Sequence, residues 1–223
     1  LGDTWASKKW PCWRYSAIAN PVPDIGSVAI DPAERPKLVK DRRVLLAMGR
    51  LVEQKGFDLL LPCFARIQAS CPEWDLHLIG DGPDKAKLVK MAKKLGIEKR
   101  VFFHGWSTKP YVWYQAADLF AFSSRFEGFG MTLGEALSAG LPAVAFNCPY
   151  GPSRILNDQV NGFLVPPDDL DQFSRRLKQL MTDAPLRAKM ASEGPRVLNK
   201  YGLGVILNKW ETTIRDAAGL KAK

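Results

Sequence analysis

Between residues 44 and 165, short runs of consecutive apolar residues alternate with longer stretches in which apolar positions recur every three or four residues. The runs at 44–49, 76–79, 101–104, 118–122, 142–146 and 162–165 have the pattern of strands buried on both faces of a parallel sheet. The stretches at 57–69, 83–95, 109–116 and 131–139 carry the period of helices. Start and stop residues agree with that division: Pro83 stands at a helix opening, and Gly96 and Gly140 stand at helix ends, where glycine accepts a left-handed conformation. Pro62 falls inside the first of these helices, where it removes a backbone bond, so propensity opposes that helix while context favours it. Residues 168–215 read as mostly helical and the proline-rich 21–36 as an irregular lead-in.

This alternation predicts repeated βα units, folded as a Rossmann-like, doubly wound parallel α/β sheet of about six strands with helices on both faces. Residues 41–200 would form that domain. Residues 1–40 would be a lead-in and linker left from a preceding half, and 201–223 a C-terminal helix that packs back toward it. The chain opens on Leu1 rather than Met and reads as an excised or processed piece. Its 223 residues, 46% of them hydrophobic, suffice for a substantial core, but no apolar run approaches the roughly 20 residues of a spanning helix.

Cysteine and charge change the picture modestly. Cys12, Cys63, Cys71 and Cys148 include no C-x-x-C pair, which suits free thiols in a reducing compartment. The histidines are His77 and His104, both inside apolar runs, so both read as structural and no metal is expected. The net charge of +9 is uneven, because residues 116–170 carry six acidic and two basic side chains within an otherwise basic chain. A basic body suits anionic lipid surfaces or nucleic acid. Nucleic acid accounts for the charge alone, since no aromatic-basic recognition motif accompanies it. Lys85, Lys87, Lys90, Lys93 and Lys94 surround a stripe of Leu88, Met91, Ala92 and Leu95, read as a packed stripe with a solvated basic face; docking on anionic lipid is the sharper alternative. Trp5, Trp10 and Trp13 read as packing or linker residues.

The acidic segment holds the most informative pattern. Within Ser124-Arg125-Phe126-Glu127-Gly128-Phe129-Gly130-Met131-Thr132-Leu133-Gly134-Glu135, two carboxylates stand eight positions apart across a glycine-punctuated turn that leads into a helix. Gly128 and Gly130 bracket Phe129, so the backbone can approach a ligand and present N–H groups at a helix N-terminus. Glu135 shares a helix face with Met131. Earlier, Gly49-Arg50-Leu51-Val52-Glu53-Gln54-Lys55-Gly56 follows the first strand and could aim a guanidinium and an ammonium at one anion. A nucleotide sugar needs both kinds of group: cations and N–H donors for its diphosphate, acceptors for its hydroxyls. Ligands of open α/β sheets bind at the carboxyl ends of strands, where both segments fall.

The pattern from Glu127 to Glu135 resembles the E-x7-E motif of the retaining glycosyltransferases called group 1 or family 4. Four further pieces continue the likeness in order: Ala19-Asn20-Pro21-Val22-Pro23, Met48-Gly49-Arg50-Leu51 with Lys55-Gly56, Ile79-Gly80-Asp81-Gly82-Pro83, and Gly162-Phe163-Leu164-Val165-Pro166. The resemblance implies the C-terminal, donor-binding half of a GT-B enzyme, whose N-terminal half binds the acceptor. It implies that Arg50 and Lys55 neutralise the donor diphosphate, a role a metal plays elsewhere, so no metal or other cofactor is expected beside the nucleotide-sugar co-substrate. Glu127 would contact the donor sugar near its reacting face without acting as nucleophile, completing a catalytic set with Arg50 and Lys55. Gly49, Gly128, Phe129, Gly130, Met131 and Thr132 would hold sugar and phosphate oxygens, Glu135 would accept from the ribose, and the base would lie near Gly80 and Val101.

The resemblance further implies a UDP-hexose or UDP-N-acetylhexosamine donor and transfer with retention to a glycan or lipid-linked acceptor. The setting would be bacterial surface-polysaccharide or lipopolysaccharide assembly, in the cytoplasm or peripherally on the inner face of the membrane. The chain alone would bind donor and transfer little sugar. Two positions depart from the pattern: Arg154, in Gly151-Pro152-Ser153-Arg154-Ile155, stands where relatives usually carry an acid, and Asn147 where many carry Asp. Arg154 motivates the alternative, a noncatalytic nucleotide-sugar-binding or regulatory module.

Overall fold

In the computed structural model, residues 16–218 are described. The tryptophans at 5, 10 and 13, and Cys12, lie outside them. Six strands, β1 (Arg43–Met48), β2 (Trp74–Ile79), β3 (Val101–Phe103), β4 (Leu119–Phe122), β5 (Ala143–Phe146) and β6 (Gly162–Val165), form one wholly parallel sheet in the order β3-β2-β1-β4-β5-β6. The order reverses between β1 and β4, which are neighbours in the sheet although two βα units separate them in sequence.

Alternate residues of each strand feed two cores, one on each face. Leu45, Ala47, Leu76, Leu78, Val144 and Phe146 pack beneath α1 (Phe57–Ile67), α2 (Lys85–Lys94) and, further along, α6 (Leu170–Thr182). Val44, Leu46, Phe120, Phe122, Ala143 and Ala145 pack on the other face against α3 (Pro110–Ala116) and α4 (Met131–Ser138). Burial on both faces explains why these strands read as continuous apolar runs. Helix α1 runs through Pro62, because Leu60, Leu61, Cys63 and Phe64 around it are all fully buried and tertiary packing outweighs the lost backbone bond.

The helical tail is divided. Helix α6 stops at Asp183, whose side chain accepts the Leu186 N–H at 2.9 Å and opens α7 (Ala184–Glu193). Pro185 has no N–H to continue the ladder. Instead the buried guanidinium of Arg187 donates to the Leu180 and Met181 carbonyls at 2.6 and 3.1 Å, so the orphaned end of α6 is satisfied by a side chain. A short helix α5 (Pro152–Ile155), absent from the sequence reading, precedes β6, while α8 (Leu198–Tyr201) and α9 (Leu203–Ala217) close the described chain.

At the strands' amino-terminal edge, Asp75 is held by Arg42 at 2.7 Å and Arg100 at 2.6 Å. The two histidines, both expected to be structural, satisfy one another: His77 Nδ1 lies 2.9 Å from His104 Nε2, with Trp113 against the His104 ring. Burial first, and the neighbouring His104 second, hold the His77 pKa down at about 4. Between pH 6.5 and 4 the unfolded chain binds a proton that folded His77 refuses, so stability should fall as pH falls through that window. Unfolding by denaturant at pH 7 and pH 5 should show a loss of about 2 kcal/mol from this group. His77→Gln should shrink that loss, and an equal loss in the variant would remove His77 as its source.

Candidate functional site

The loops after β1 and β4 meet at the carboxyl edge of the sheet where the strand order reverses, the position at which open α/β sheets bind ligands. After β1 the chain leaves through Gly49, makes a tight turn over Glu53–Lys55, and enters α1 through Gly56 in a left-handed conformation (φ 62°). No other residue fits at Gly56, since a Cβ there would stand 2.0 Å from the Ser123 carbonyl oxygen. The backbones of the two loops therefore touch.

Polar bonds lace them together. Arg125 donates its N–H to the Gln54 carbonyl at 2.8 Å, the Gln54 amide donates to the Phe126 carbonyl at 3.0 Å, and the Ser123 hydroxyl donates to the Lys55 carbonyl at 2.9 Å. The Arg125 guanidinium grips both carboxylate oxygens of Asp58 at 2.7 and 2.8 Å. This fork holds the Asp58 carboxyl below its ordinary pKa.

Inside this frame the Lys55 ammonium sits 2.6 Å from Glu127 Oε1, which also accepts from the Ser124 hydroxyl at 2.8 Å. The side chains are 19% and 8% exposed. The Lys55 stem crosses directly over Gly49, where an added Cβ would lie 3.3 Å from its carbons. An ammonium has three donors, and Glu127 uses one, so Lys55 can bind a second anion without releasing the first. Behind the pair, the buried Cys148 thiol is pushed up to about 11 by burial and then by the Glu127 charge. It is no thiolate nucleophile at neutral pH.

Beyond Glu127, Gly130 (φ 94°) caps α4 in a left-handed conformation without any side-chain cap, so Met131 and Thr132 begin a helix whose first N–H groups have no intrahelical acceptor. On the second turn, Glu135 Oε2 accepts the hydroxyl of fully buried Tyr114 at 2.8 Å. Burial and then the Glu135 charge raise the Tyr114 pKa well above normal, so its phenol remains a donor. That bond fixes one carboxylate oxygen and leaves the half-buried Glu135 carboxylate with acceptor capacity for a ligand.

The structure thus gathers Gly49, Lys55, Glu127, Gly128, Phe129, Gly130, Met131, Thr132 and Glu135 around one edge. Arg50 follows Gly49 on the same loop, exposed and with no ion-pair partner among the described residues. Gly80 is buried, its N–H bonded to the Gly105 carbonyl at 2.7 Å, so its observed work is to seat the β2 turn against Gly49.

Val101 requires a correction. It begins β3, pairs with Leu76 and is 6% exposed in the core, several residues short of the edge where Gly80 lies level with Gly105. At this strand's exit Gly105 is the residue bridged to Gly80, and the 78% exposed Trp106 follows it. Ser124, Tyr114, Gln54, Asp58 and Gly151 are site residues that the sequence reading did not single out. Gly151 lacks a Cβ because one would stand 2.5 Å from the Phe129 carbonyl oxygen; its place in a Gly-Pro pair beside a predicted strand was the available signal. Among the described residues no group of three or more His, Cys, Asp or Glu is arranged to hold a metal ion, and no helix is long and apolar enough to cross a membrane.

Residues 31–197 match the family model described as glycosyl transferases group 1. The amylovoran biosynthesis glycosyltransferase AmsD of Erwinia amylovora is 36% identical over 171 residues, covering 77% of this chain and 47% of the relative. The lipopolysaccharide 1,6-galactosyltransferase of Salmonella typhimurium is 35% identical over 171 residues, covering 75% of this chain and 46% of the relative. Among solved structures, Staphylococcus aureus TarM in a complex containing UDP superposes with a TM-score of 0.74 at 28% identity, over 82% of this chain and 37% of that one. The chain spans about half the length of the curated relatives it matches.

Proposed function

The chain belongs to the group 1 glycosyl transferases, and from that premise we propose that it is the half of such an enzyme that binds the nucleotide-sugar donor. The Lys55–Glu127 pair at the point where the strand order reverses carries this reading, because it places a cation with spare donors beside a carboxylate on a water-sheltered edge. Lys55 and Arg50 would take the diphosphate and stabilise the leaving nucleotide electrostatically, which makes a metal unnecessary for that step. Glu127 would orient the sugar, the first N–H groups of α4 would hold phosphate or sugar oxygens, and Glu135, steadied by Tyr114, would accept from the ribose.

UDP is the proposed nucleotide, as it is the one present in the TarM complex. Transfer is proposed to proceed with retention to a glycan or lipid-linked acceptor in bacterial surface-polysaccharide assembly, in the cytoplasm or at the membrane's inner face. On this reading α9, whose Leu203, Leu207, Trp210 and Ile214 are exposed at helical spacing, packs against the acceptor-binding half. The 223-residue chain alone binds donor and transfers little.

Calorimetric titration with UDP, GDP and ADP tests the proposal. UDP is expected to bind in preference to the other two, and Glu135→Ala to weaken it by about tenfold, the size of a lost charge-assisted bond. Absence of binding by all three nucleotides would overturn the donor-site reading.

A further inference from the structure

Two large aromatic side chains stand in solvent beside the sheltered Lys55–Glu127 pair. Phe126, on the loop after β4, is 57% exposed, and Tyr150, on the loop after β5, is 48% exposed. These loops lie backbone against backbone. Glu127 donates its N–H to the Pro149 carbonyl at 3.5 Å, and a Cβ on Gly151 would stand 3.5 Å from the Glu127 Cβ and 2.5 Å from the Phe129 carbonyl oxygen. Tyr150 lies between the two residues that touch Glu127, and Phe126 directly precedes it. The Phe126 carbonyl is held from its other side by the Gln54 amide at 3.0 Å, so both aromatic residues rise from anchored backbone.

Tyr150 is held there under strain. Its φ of 59° lies in the left-handed region, shared among the described non-glycine residues with Asp41, Gln159 and Asp168. A bulky ring is a poor occupant of that region, and glycine or asparagine would make the same turn more easily. Strained residues persist where their surroundings fix them, and they gather at ligand clamps. Neither Tyr150 nor Phe126 belongs to either core, so packing within the fold does not account for the two rings.

A pyranose presents C–H bonds on its face and hydroxyls around its rim, so aromatic rings suit the face while carboxylates, amides and backbone groups suit the rim. The neighbours of Phe126 and Tyr150 supply such a rim. They are the Glu127 carboxylate, Asn147, exposed at the end of β5, and the open backbone of Gly128, with nothing within 4 Å of where its Cβ would stand. An acyl chain or an apolar protein face would need a contiguous apolar patch, whereas these rings are interrupted by Arg125, Glu127 and Asn147. The Lys55–Glu127 pair is sheltered and the rings are exposed, so the sugar they meet is the one that arrives from solvent.

We propose that Phe126 and Tyr150 hold the face of a pyranose ring of the acceptor, so that this half of the enzyme recognises a saccharide acceptor and sets it beside Glu127. The inference rests on the donor-site reading and adds the acceptor's chemical class.

Titration of methyl α-D-glucopyranoside and methyl β-D-galactopyranoside into the UDP-loaded chain, followed by NMR of the sugar, tests it. Ring C–H protons of at least one glycoside should shift upfield in the aromatic ring currents. Phe126→Ala and Tyr150→Ala should each weaken its binding about tenfold, the scale of a lost aromatic contact, while UDP affinity is unchanged. Tyr150→Phe keeps the ring and should keep the binding. Tyr150→Gly should lose the glycoside at an unchanged or raised melting temperature, because it removes the ring and relieves the backbone; a merely structural tyrosine would lower it. Three results overturn the proposal: neither glycoside binding to a chain that binds UDP, binding that the alanine variants leave unchanged, or variants that weaken UDP-glucose relative to UDP without affecting the glycoside, which gives the rings to the donor's own sugar. Failure to bind UDP at all overturns the donor-site reading and this inference with it.

Discussion

Gly80→Ala should destabilise the chain by about 4 kcal/mol, from overpacking added to backbone strain. A Cβ at position 80 would stand 1.9 Å from the Gly49 carbonyl oxygen and 2.8 Å from its carbon, and φ there is +141°. Neither backbone can retreat. The Gly80 N–H is bonded to the Gly105 carbonyl at 2.7 Å, and the Gly49 N–H to the Ile79 carbonyl at 3.0 Å, so relief must break a bond at the end of β2. For a chain of this size the melting temperature should fall by roughly 10 °C. Gly96→Ala is the control, because Gly96 also has a positive φ (+68°) but nothing within 4 Å of the added carbon. It should cost only about 1 kcal/mol of left-handed strain. Equal melting temperatures for the two variants would show that the collision is relieved at no cost.

Lys55→Met should weaken UDP binding about a hundredfold, the equivalent of losing one strong charged contact in a sheltered site. Methionine keeps an apolar stem over Gly49, so packing changes little while the charge is removed. The same change leaves the Glu127 carboxylate, 8% exposed, with the Ser124 hydroxyl as its remaining partner in the pair's network. Breaking such a pair from one side should cost about 2–3 kcal/mol, less than for a fully buried pair because Lys55 retains partial exposure. Adding Glu127→Gln should restore most of that stability without restoring UDP affinity. Denaturant unfolding and calorimetry on the single and double variants separate the two effects. Recovery of UDP binding in the double variant would reduce Lys55 to a structural partner of Glu127.

Most of the architecture was legible because a sheet covered on both faces demands apolar residues at consecutive positions, and each of the six runs became a strand within two residues. The site's two halves were legible for a related reason. Glycines that a positive φ requires, such as Gly49, Gly56 and Gly130, mark where loops turn sharply, and charged residues beside them have few structural uses. Val101 was misplaced because an apolar run does not say which end of a short edge strand reaches the ligand. The break at Asp183 went unread, since Asp183-Ala184-Pro185 signals a helix start only once a second packing direction exists for α7 to follow.

The chain by itself determined its strands and helices, the residues of its two cores, and the chemistry available at the strand ends, because periodicity, capping and residue type act over a few neighbours. Only the tertiary structure decided which of those groups meet. Lys55 and Glu127 lie 72 positions apart, Tyr114 and Glu135 lie 21 apart, and Arg154 shares a cleft with residues 17–20. Such pairings follow from a strand order in which β1 and β4 are neighbours, and that order is set by packing over the whole sheet rather than by any local run of sequence.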